Sequence, residues 1–386
     1  MIEESIRNAV ERIHASSMKT VIYLTGGGSL GLAWILGVPG ASRTLLEAAV
    51  PYNRASLLSL LEYEPEHFVS MTTAEDLARK ALDRAIELGS DPRKTVGIGL
   101  TAALITDRPR KGEHRCALAV ESTRSSETFS LRLEKEKRTR EDEESLVSSL
   151  LIKALGRSVD PPVPVKLKLS PGDNLDVRAT DQQDAIIRLA GEENARIFMM
   201  ENGSTTEEDP GITFLLPGSF NPLHRGHAGL MHAAQEMLKG KGAFEISLDN
   251  VDKPMLPPGK AKARATVLSR QAPVVLTRAP TFVDKVALFP QTTFVMGYDT
   301  ARRILDPKYY KEGHSGLSGA LECFKEAQAT FLVAGRLEEG AFRSLGDLKI
   351  PEGGDYLFRE IPESVFREDI SSTELREGSV PAFKLS

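Results

Sequence analysis

Cysteine and long apolar runs are scarce in this chain of 386 residues. Its two cysteines, Cys116 and Cys323, are too few for a disulfide framework, which suits a reducing compartment. No apolar run is long enough to cross a bilayer, and the acidic, amphipathic N-terminus lacks the features of a signal peptide. We therefore expect a cytoplasmic protein that has no membrane partner.

An excess of positive charge is also missing. The formal net charge is −5 and the isoelectric point is about 5.9. General nucleic-acid-binding proteins present a basic surface, so we expect no nucleic-acid partner. The content of 41% hydrophobic and 27% charged residues is typical of a globular protein, and the length predicts two domains or more.

Proline clustering indicates where the chain divides. Residues 1–157 have the pattern of one α/β domain, in which a short strand over Val21–Leu24 leads into the glycine-rich loop Thr25–Ser29. Prolines and weak periodicity over 158–180 are typical of a linker. Because a short helix and a polar loop follow, we predict that the linker spans 158–210.

Residues 211–386 show the alternation of strands and helices that characterises a parallel sheet. Strands are predicted at 212–216, 244–248, 273–277, 292–296, 330–334 and 356–361, with helical segments between most of them. This pattern predicts a second α/β domain with a doubly wound, Rossmann-like parallel sheet. In such sheets, ligands bind beyond the carboxyl ends of the strands.

The first of these strands runs into a loop with two histidines. Apolar residues recur at helical spacing after this loop, so His224 and His227 are expected at the start of a helix. Free backbone N–H groups at a helix start bind anions. Two surface histidines in a turn are the alternative. The strand before the loop and the helix after it favour a triphosphate site.

A second motif near the C-terminus offers further phosphate ligands. Ser371, Ser372 and Thr373 supply hydroxyl and N–H groups at a predicted helix start, and Arg376 lies within one turn of them. A guanidinium at that place can bind the same phosphates through two hydrogen bonds. Alone, the motif would be a capped surface helix; together with the histidine loop, it favours phosphate binding.

The two motifs resemble those of the nucleotidylyltransferase superfamily, and most closely the nicotinamide or nicotinate mononucleotide adenylyltransferases. The family pattern Gly-x-Phe-x-Pro-x-His-x-Gly-His matches residues 218–227, and Ile-Ser-Ser-Thr-x-x-Arg matches residues 370–376. The resemblance covers about residues 210–380. It implies adenylyl transfer from ATP to nicotinamide or nicotinate mononucleotide, which gives NAD or its deamido form together with pyrophosphate.

The resemblance also implies roles for individual residues. His224, His227 and Arg376 would be catalytic, and no protein metal site is expected because Mg2+ binds with the ATP phosphates. The residues expected to bind the nucleotide are Gly218, Ser219, Phe220, Gly226, Lys253, Gly297, Asp299, Ser371, Ser372 and Thr373. The ordinary structural interpretations of Lys253 and Asp299 are a surface lysine and a helix cap.

The acceptor stays open at the level of sequence. These adenylyltransferases commonly place a tryptophan shortly after the Gly-x-Asp of the site, whereas the only tryptophan here is Trp34, in the other domain. Tyr298, Tyr309 or Tyr310 are candidates to stack on the acceptor instead. Another acceptor, CTP as the donor, and a nucleotide sensor without turnover are the alternatives. The oligomeric state is also open, with a homo-oligomer as one option.

The glycine-rich loop of the first domain is not a Walker motif, because no Gly-Lys-Ser/Thr follows it. Residues 5–157 resemble the CinA C-terminal family, which includes nicotinamide mononucleotide deamidases. The family's reaction uses a serine, a tyrosine and a lysine, and the corresponding positions here are Tyr23, Tyr52 and Leu57. A nucleophile without its base is weak. We therefore expect a catalytically silent domain that binds a nucleotide, aids assembly or regulates, with residual deamidase activity as the minor alternative.

Overall fold

The computed structural model describes residues 2–107, 112–193, 195–338 and 341–368, with only the backbone of His314. The chain divides into two compact units, Met1–Gly191 with Pro257–Gly259, and Glu192–Leu256 with Lys260–Ser386. None of the helices in the described ranges has the length and apolar character needed to cross a membrane. The predicted division into two α/β domains is confirmed.

The first unit is built on a six-stranded mixed sheet. Its strands are β1 (Lys19–Thr25), β2 (Leu45–Ala49), β3 (Thr95–Ala103), β4 (His114–Glu121), β5 (Ser125–Leu133) and β6 (Asn174–Asp181). Its helices are α1 (Glu4–Ala15), α2 (Ser29–Gly37), α3 (Arg54–Leu61), α4 (Met71–Glu87), α5 (Arg140–Arg157) and α6 (Ala185–Gly191). The strand order is β2-β1-β3-β4-β5-β6. Strand β1 is parallel to β2 and β3, and the other neighbours are antiparallel.

Helices cover both faces of this sheet. On one face, α4 lies directly against β3, where a Cβ on Gly97 or Gly99 would overlap the backbone of α4. Glycine at these two positions therefore allows the close approach of helix and strand. On the other face, Phe129 of β5 shares the larger core cluster with Val147 and Leu150 of α5.

The structure corrects the predicted linker over 158–210. Strand β6 pairs with β5 along its whole length and completes the sheet of the first unit, which continues to Gly191. The segment Glu192–Leu256 belongs to the second unit, and its first part adds two short strands to the sheet of that unit. The prediction was wrong because an exposed edge strand has no apolar run to mark it.

The second unit holds an eight-stranded sheet and a small hairpin. Its strands are β7 (Arg196–Met199), β8 (Thr205–Thr206), β9 (Phe214–Pro217), β10 (Gly242–Ser247), β11 (Val274–Thr277), β12 (Thr293–Gly297), β13 (Thr330–Ala334), β14 (Arg336–Glu338), β15 (Ala341–Arg343) and β16 (Phe358–Ile361). Its helices are α7 (Arg225–Leu238), α8 (Pro258–Leu268), α9 (Phe282–Leu288), α10 (Tyr298–Leu305) and α11 (His314–Glu326). Strands β14 and β15 form the hairpin.

The large sheet has the order β16-β13-β12-β9-β10-β11-β7-β8. Six of these strands, from β16 to β11, are parallel and correspond to the six predicted strands. Strands β9 and β12 are neighbours although two strands and three helices separate them in sequence, which makes this the switch point of a doubly wound sheet. The carboxyl ends of these two strands therefore form the place where such folds bind ligands.

Candidate active site

The loop after β9 is fixed from beneath by an aromatic ring and a backbone hydrogen bond. Phe220 has a φ of +45°, and its side chain is buried. Its ring meets that of Phe244 edge to face, with 5.1 Å between the ring centroids. The N–H of Gly218 donates to the carbonyl of Glu245 on β10 over 3.0 Å. These contacts define the path of the loop before it reaches the first turn of α7.

The two predicted histidines lie together at the start of α7. The backbone N–H of His224 donates to Nδ1 of His227 over 3.3 Å, and the rings stack with 3.7 Å between centroids. Phe220 packs edge to face on the other side of His227, with 4.9 Å between centroids. Both imidazoles are thus held in one orientation before any ligand binds.

The electrostatics of the pair favour neutral imidazoles. Burial, and then the neighbouring His224, lower the pKa of His227 to about 3. Burial also lowers the pKa of His224, and the carboxylate of Glu368 opposes that shift. Because Nδ1 of neutral His227 accepts a hydrogen bond, its proton resides on Nε2, which is then a donor. The pair can therefore hydrogen-bond an anion without carrying a charge itself.

A cavity of about 380 Å³ opens in front of the histidines. Its lining comes from the loops after β9, β12 and β13, which are the carboxyl ends of adjacent parallel strands. Six residues predicted from sequence contribute to it: Gly218, His224, Gly226, His227, Gly297 and Asp299. The sheet therefore brings together the parts of the site that the sequence presents more than 70 positions apart.

Other predicted residues lie elsewhere. Phe220 packs against His227 and is not part of the cavity lining. Ser219 does not line the cavity either, and its carbonyl accepts from Arg264 over 3.2 Å. Lys253 is exposed and does not line the cavity, so the structure matches its interpretation as a surface lysine.

The phosphate motif near the C-terminus falls outside the described residues. Its predicted members are Ser371, Ser372, Thr373 and Arg376. The described chain ends close to the cavity, because Phe366 and Glu368 belong to its lining. Glu368 also pairs with Arg225 of α7 over 3.0 Å.

A cationic residue of the cavity was missed from the sequence. Arg336, which follows Gly335 after β13 and begins β14, forms an ion pair with Asp299, which also accepts from Arg302 over 3.3 Å. Arg302 in turn bonds Glu338 over 2.9 Å. The signal was present, since Arg336 follows a predicted strand at the same edge as the other site residues. Its link to Asp299 depends on the pairing of β12 with β13, which periodicity alone does not give.

The three positions of the first unit that the sequence analysis singled out differ in their surroundings. Tyr23 is buried, and its hydroxyl donates to Glu47 over 3.1 Å. Burial, and then Glu47, raise the pKa of this phenol. Leu57 is a core residue beside Tyr23, and Tyr52 is exposed. The glycine-rich loop is also bonded to another part of the first unit. At the start of α2, the hydroxyl of Ser29 donates to the carboxylate of Glu144 over 2.8 Å.

Metal ligands are not clustered in the part of the chain that the structure describes. No group of three or more His, Cys, Asp or Glu side chains there is placed to hold an ion.

Comparison with known proteins connects this geometry to a family. Residues 215–378 match the family described as cytidylyltransferase-like. A protein of Schizosaccharomyces pombe with the name "Putative nicotinamide mononucleotide adenylyltransferase" is 32% identical over an alignment of 113 residues, and the match covers 26% of this chain. The chain spans 44% of the length of that curated relative. The second unit thus carries a nucleotidyltransferase-like domain.

Solved structures of CinA-type proteins are also similar to part of the chain. The competence/damage inducible protein CihA from Agrobacterium tumefaciens covers 40% of this chain and 98% of its own, with 19% identity and a TM-score of 0.34. A competence or damage-inducible protein from Enterobacter asburiae covers 40% and 99%, with 12% identity and a TM-score of 0.32.

Proposed function

We propose that this protein transfers the adenylyl group of ATP to nicotinamide or nicotinate mononucleotide, forming the dinucleotide and releasing pyrophosphate. The observation that carries the proposal is the stacked pair of His224 and His227 at the start of α7. The pair faces a cavity at the switch point of a parallel sheet. The match of residues 215–378 to a nucleotidyltransferase-like family supports the reaction class.

The reaction would be an in-line displacement on phosphorus. An oxygen of the acceptor phosphate attacks the α-phosphorus of ATP, and the bond to pyrophosphate breaks. No covalent enzyme intermediate is needed, so catalysis rests on positioning and on donors aimed at the phosphate oxygens. The Nε2–H of His227 is such a donor, and the rings of Phe220 and His224 keep it in place. Mg2+, when bound with ATP, neutralises charge on the phosphates.

The opposite wall of the cavity would bind the acceptor. Asp299 can accept hydrogen bonds from ribose hydroxyls, and Arg336 can donate to a phosphate. These two residues are paired with each other. On binding, Arg336 would exchange the carboxylate of Asp299 for a phosphate, and Asp299 would keep the guanidinium of Arg302, which donates to it over 3.3 Å.

Among the three candidate tyrosines, Tyr298 is the one assigned here to the acceptor base, although most of its surface is buried. It lies at the start of α10 and contributes to the cavity lining, whereas Tyr309 and Tyr310 do not. The guanidinium of Arg302 lies 5.6 Å from the centre of this ring. Tyr298 could thus substitute for the stacking tryptophan that the family commonly uses. The similarity to the S. pombe protein favours a pyridine mononucleotide as the acceptor.

The experiment is pyrophosphate release from Mg-ATP or Mg-CTP with a panel of acceptors. The panel contains nicotinamide mononucleotide, nicotinate mononucleotide, phosphopantetheine and a sugar phosphate. We expect release with ATP and one pyridine mononucleotide. Release only with CTP, or only with a different acceptor, would replace the proposed substrates. Nucleotide binding without release from any pair would identify a sensor.

We further propose that the first unit is catalytically silent as a deamidase. Tyr23 and Leu57 occupy the positions of the serine and the lysine, and both are buried in the same core cluster. A buried phenol with a raised pKa is a poor nucleophile, and leucine cannot act as its base. Incubation of the full chain with nicotinamide mononucleotide should release no ammonia. Ammonia release that Tyr23→Phe abolishes would contradict this assignment.

A further inference from the structure

Strand β6 leaves one edge of the first sheet open. It pairs with β5 on one side, and no other strand among the described residues pairs with it. Seven of its eight residues are exposed, and the eighth, Leu175, is partly buried. An open edge with unpaired N–H and C=O groups is a template for another strand.

The direction of the free backbone groups follows from the pairing with β5. The N–H of Gln182 donates to the carbonyl of Arg124 over 2.8 Å, in register with the β5–β6 ladder. Backbone groups of an antiparallel strand alternate in direction from one residue to the next. Even-numbered residues of β6 therefore bond to β5. Leu175, Val177 and Ala179 direct their N–H and C=O groups to the open edge.

The sequence of β6 is complementary to itself about Val177. A second β6, antiparallel to the first and related by a two-fold axis at this residue, places Val177 opposite Val177 and Leu175 opposite Ala179. These residues are the ones whose backbone groups face outward. The three pairs would form about six hydrogen bonds, two for each pair. A register centred on Asp176 or Arg178 also brings outward-facing residues together, but it places two like charges directly opposite each other. A register that pairs odd-numbered with even-numbered residues forms none of these bonds.

The charges on the other face match the same register. Asp176 comes opposite Arg178 of the second copy, and Arg178 comes opposite Asp176. Within one chain these two side chains already form an ion pair over 2.9 Å, with 49% and 77% of the side chains exposed. An exposed pair of this kind contributes little to the stability of one chain. Across two copies, the same residues supply two oppositely charged contacts.

The apolar face is extended by the same pairing. Val177 lies opposite Phe129 of β5 and so belongs to the side of the sheet that carries the large core cluster. Leu175 already packs against that cluster, whereas Val177 is 36% exposed. A second strand beside β6 would cover Val177 with the apolar side chains of its own Leu175, Val177 and Ala179.

We propose that two copies of this chain associate through β6, so that the two six-stranded sheets become one continuous sheet. The proposal does not depend on the proposed activity of the second unit. A single strand pair buries a small area for a protein interface, so we expect a dimer with a Kd on the order of micromolar.

The test is sedimentation velocity of the full chain over a wide range of protein concentration. It compares wild type with variants in which the charged residues of the proposed interface are exchanged. Wild-type protein should shift from one chain of 42.2 kDa to twice that mass as the concentration rises. Asp176→Arg and Arg178→Asp should each remain monomeric, because each places like charges opposite one another. The double variant should dimerise again. An equimolar mixture of the two single variants should form a heterodimer, because their charges are complementary.

A backbone variant separates pairing from folding. In Val177→Pro, the lost N–H is one that faces outward, so the ladder with β5 and the melting temperature should be retained while the dimer is lost. Arg178→Pro removes an inward hydrogen bond and should lower the melting temperature. A wild-type monomer at every concentration would overturn the proposal, and so would a dimer that both charge variants retain. If the monomer also protects the Val177 amide from hydrogen exchange, another segment of the same chain covers the edge.

Discussion

Replacing His227 by alanine isolates the donor on which the proposed chemistry depends. His227 lines the cavity, and removal of one preorganised donor typically costs on the order of 100-fold in turnover. That ratio corresponds to about 2.7 kcal/mol of lost transition-state stabilisation. The fold loses the edge-to-face packing on Phe220, the stacking on His224 and the hydrogen bond from the His224 N–H, together worth about 2 kcal/mol. We expect a decrease of about 4–8 °C in the melting temperature of the second unit.

The assay is pyrophosphate release by wild type, His227→Ala and His232→Ala under saturating ATP and acceptor. His232 is an exposed residue of the same helix, so its variant controls for general effects on α7. The expected result is a large loss of turnover for His227→Ala only, at a temperature where both variants are folded. Wild-type turnover in His227→Ala would refute the role of this imidazole. A loss that merely follows the unfolding curve would refute it as well.

Three further predictions follow from other contacts. Arg336→Ala should raise the KM for the acceptor more than that for ATP, while Lys308→Ala, which removes an exposed cation outside the cavity, should change neither; equal effects on both substrates would contradict the assignment of Arg336 to the acceptor. The ammonium of Lys285 lies 2.8 Å from both oxygens of the buried carboxylate of Glu245. Lys285→Met removes this partner and should lower the free energy of unfolding by about 3–5 kcal/mol. The control Lys239→Met, at an exposed ion pair, should lower it by about 0–1 kcal/mol. Because the pKa of His227 is lowered from 6.5 to about 3, the unfolded chain binds more protons between these pH values, so the free energy of unfolding should fall as the pH decreases from 6.5 to 3. Denaturant titrations of His227→Gln should show a weaker dependence of stability on pH. The same dependence as in wild type would argue against a buried neutral imidazole.

The sequence predicted the second unit well because its strands are buried on both faces. Runs such as Val274–Leu276 and Phe331–Ala334 are apolar without interruption. Strand β6 has no such run, since nearly all of its residues are exposed and only its pairing with β5 defines it. An edge strand of this kind becomes visible only when its neighbour is known.

The part of the site that lies in a single loop could be predicted from the sequence. The part that depends on the order of the strands in the sheet could not. His224 and His227 lie three positions apart, so their approach follows from local structure. The pairing of Asp299 with Arg336 joins residues on two loops and requires the order of β12 and β13. The depressed pKa of His227 likewise depends first on burial by the fold, which periodicity does not give, and only then on the neighbouring His224.

The most direct measurement of the central claim is the identity of the product formed from Mg-ATP and nicotinamide or nicotinate mononucleotide. We predict that chromatography and mass spectrometry will detect the corresponding dinucleotide in equal amounts with pyrophosphate, and that His227→Ala will form far less of both. ATP consumption without dinucleotide, or no product from either acceptor while ATP binds, would contradict adenylyl transfer to a pyridine mononucleotide.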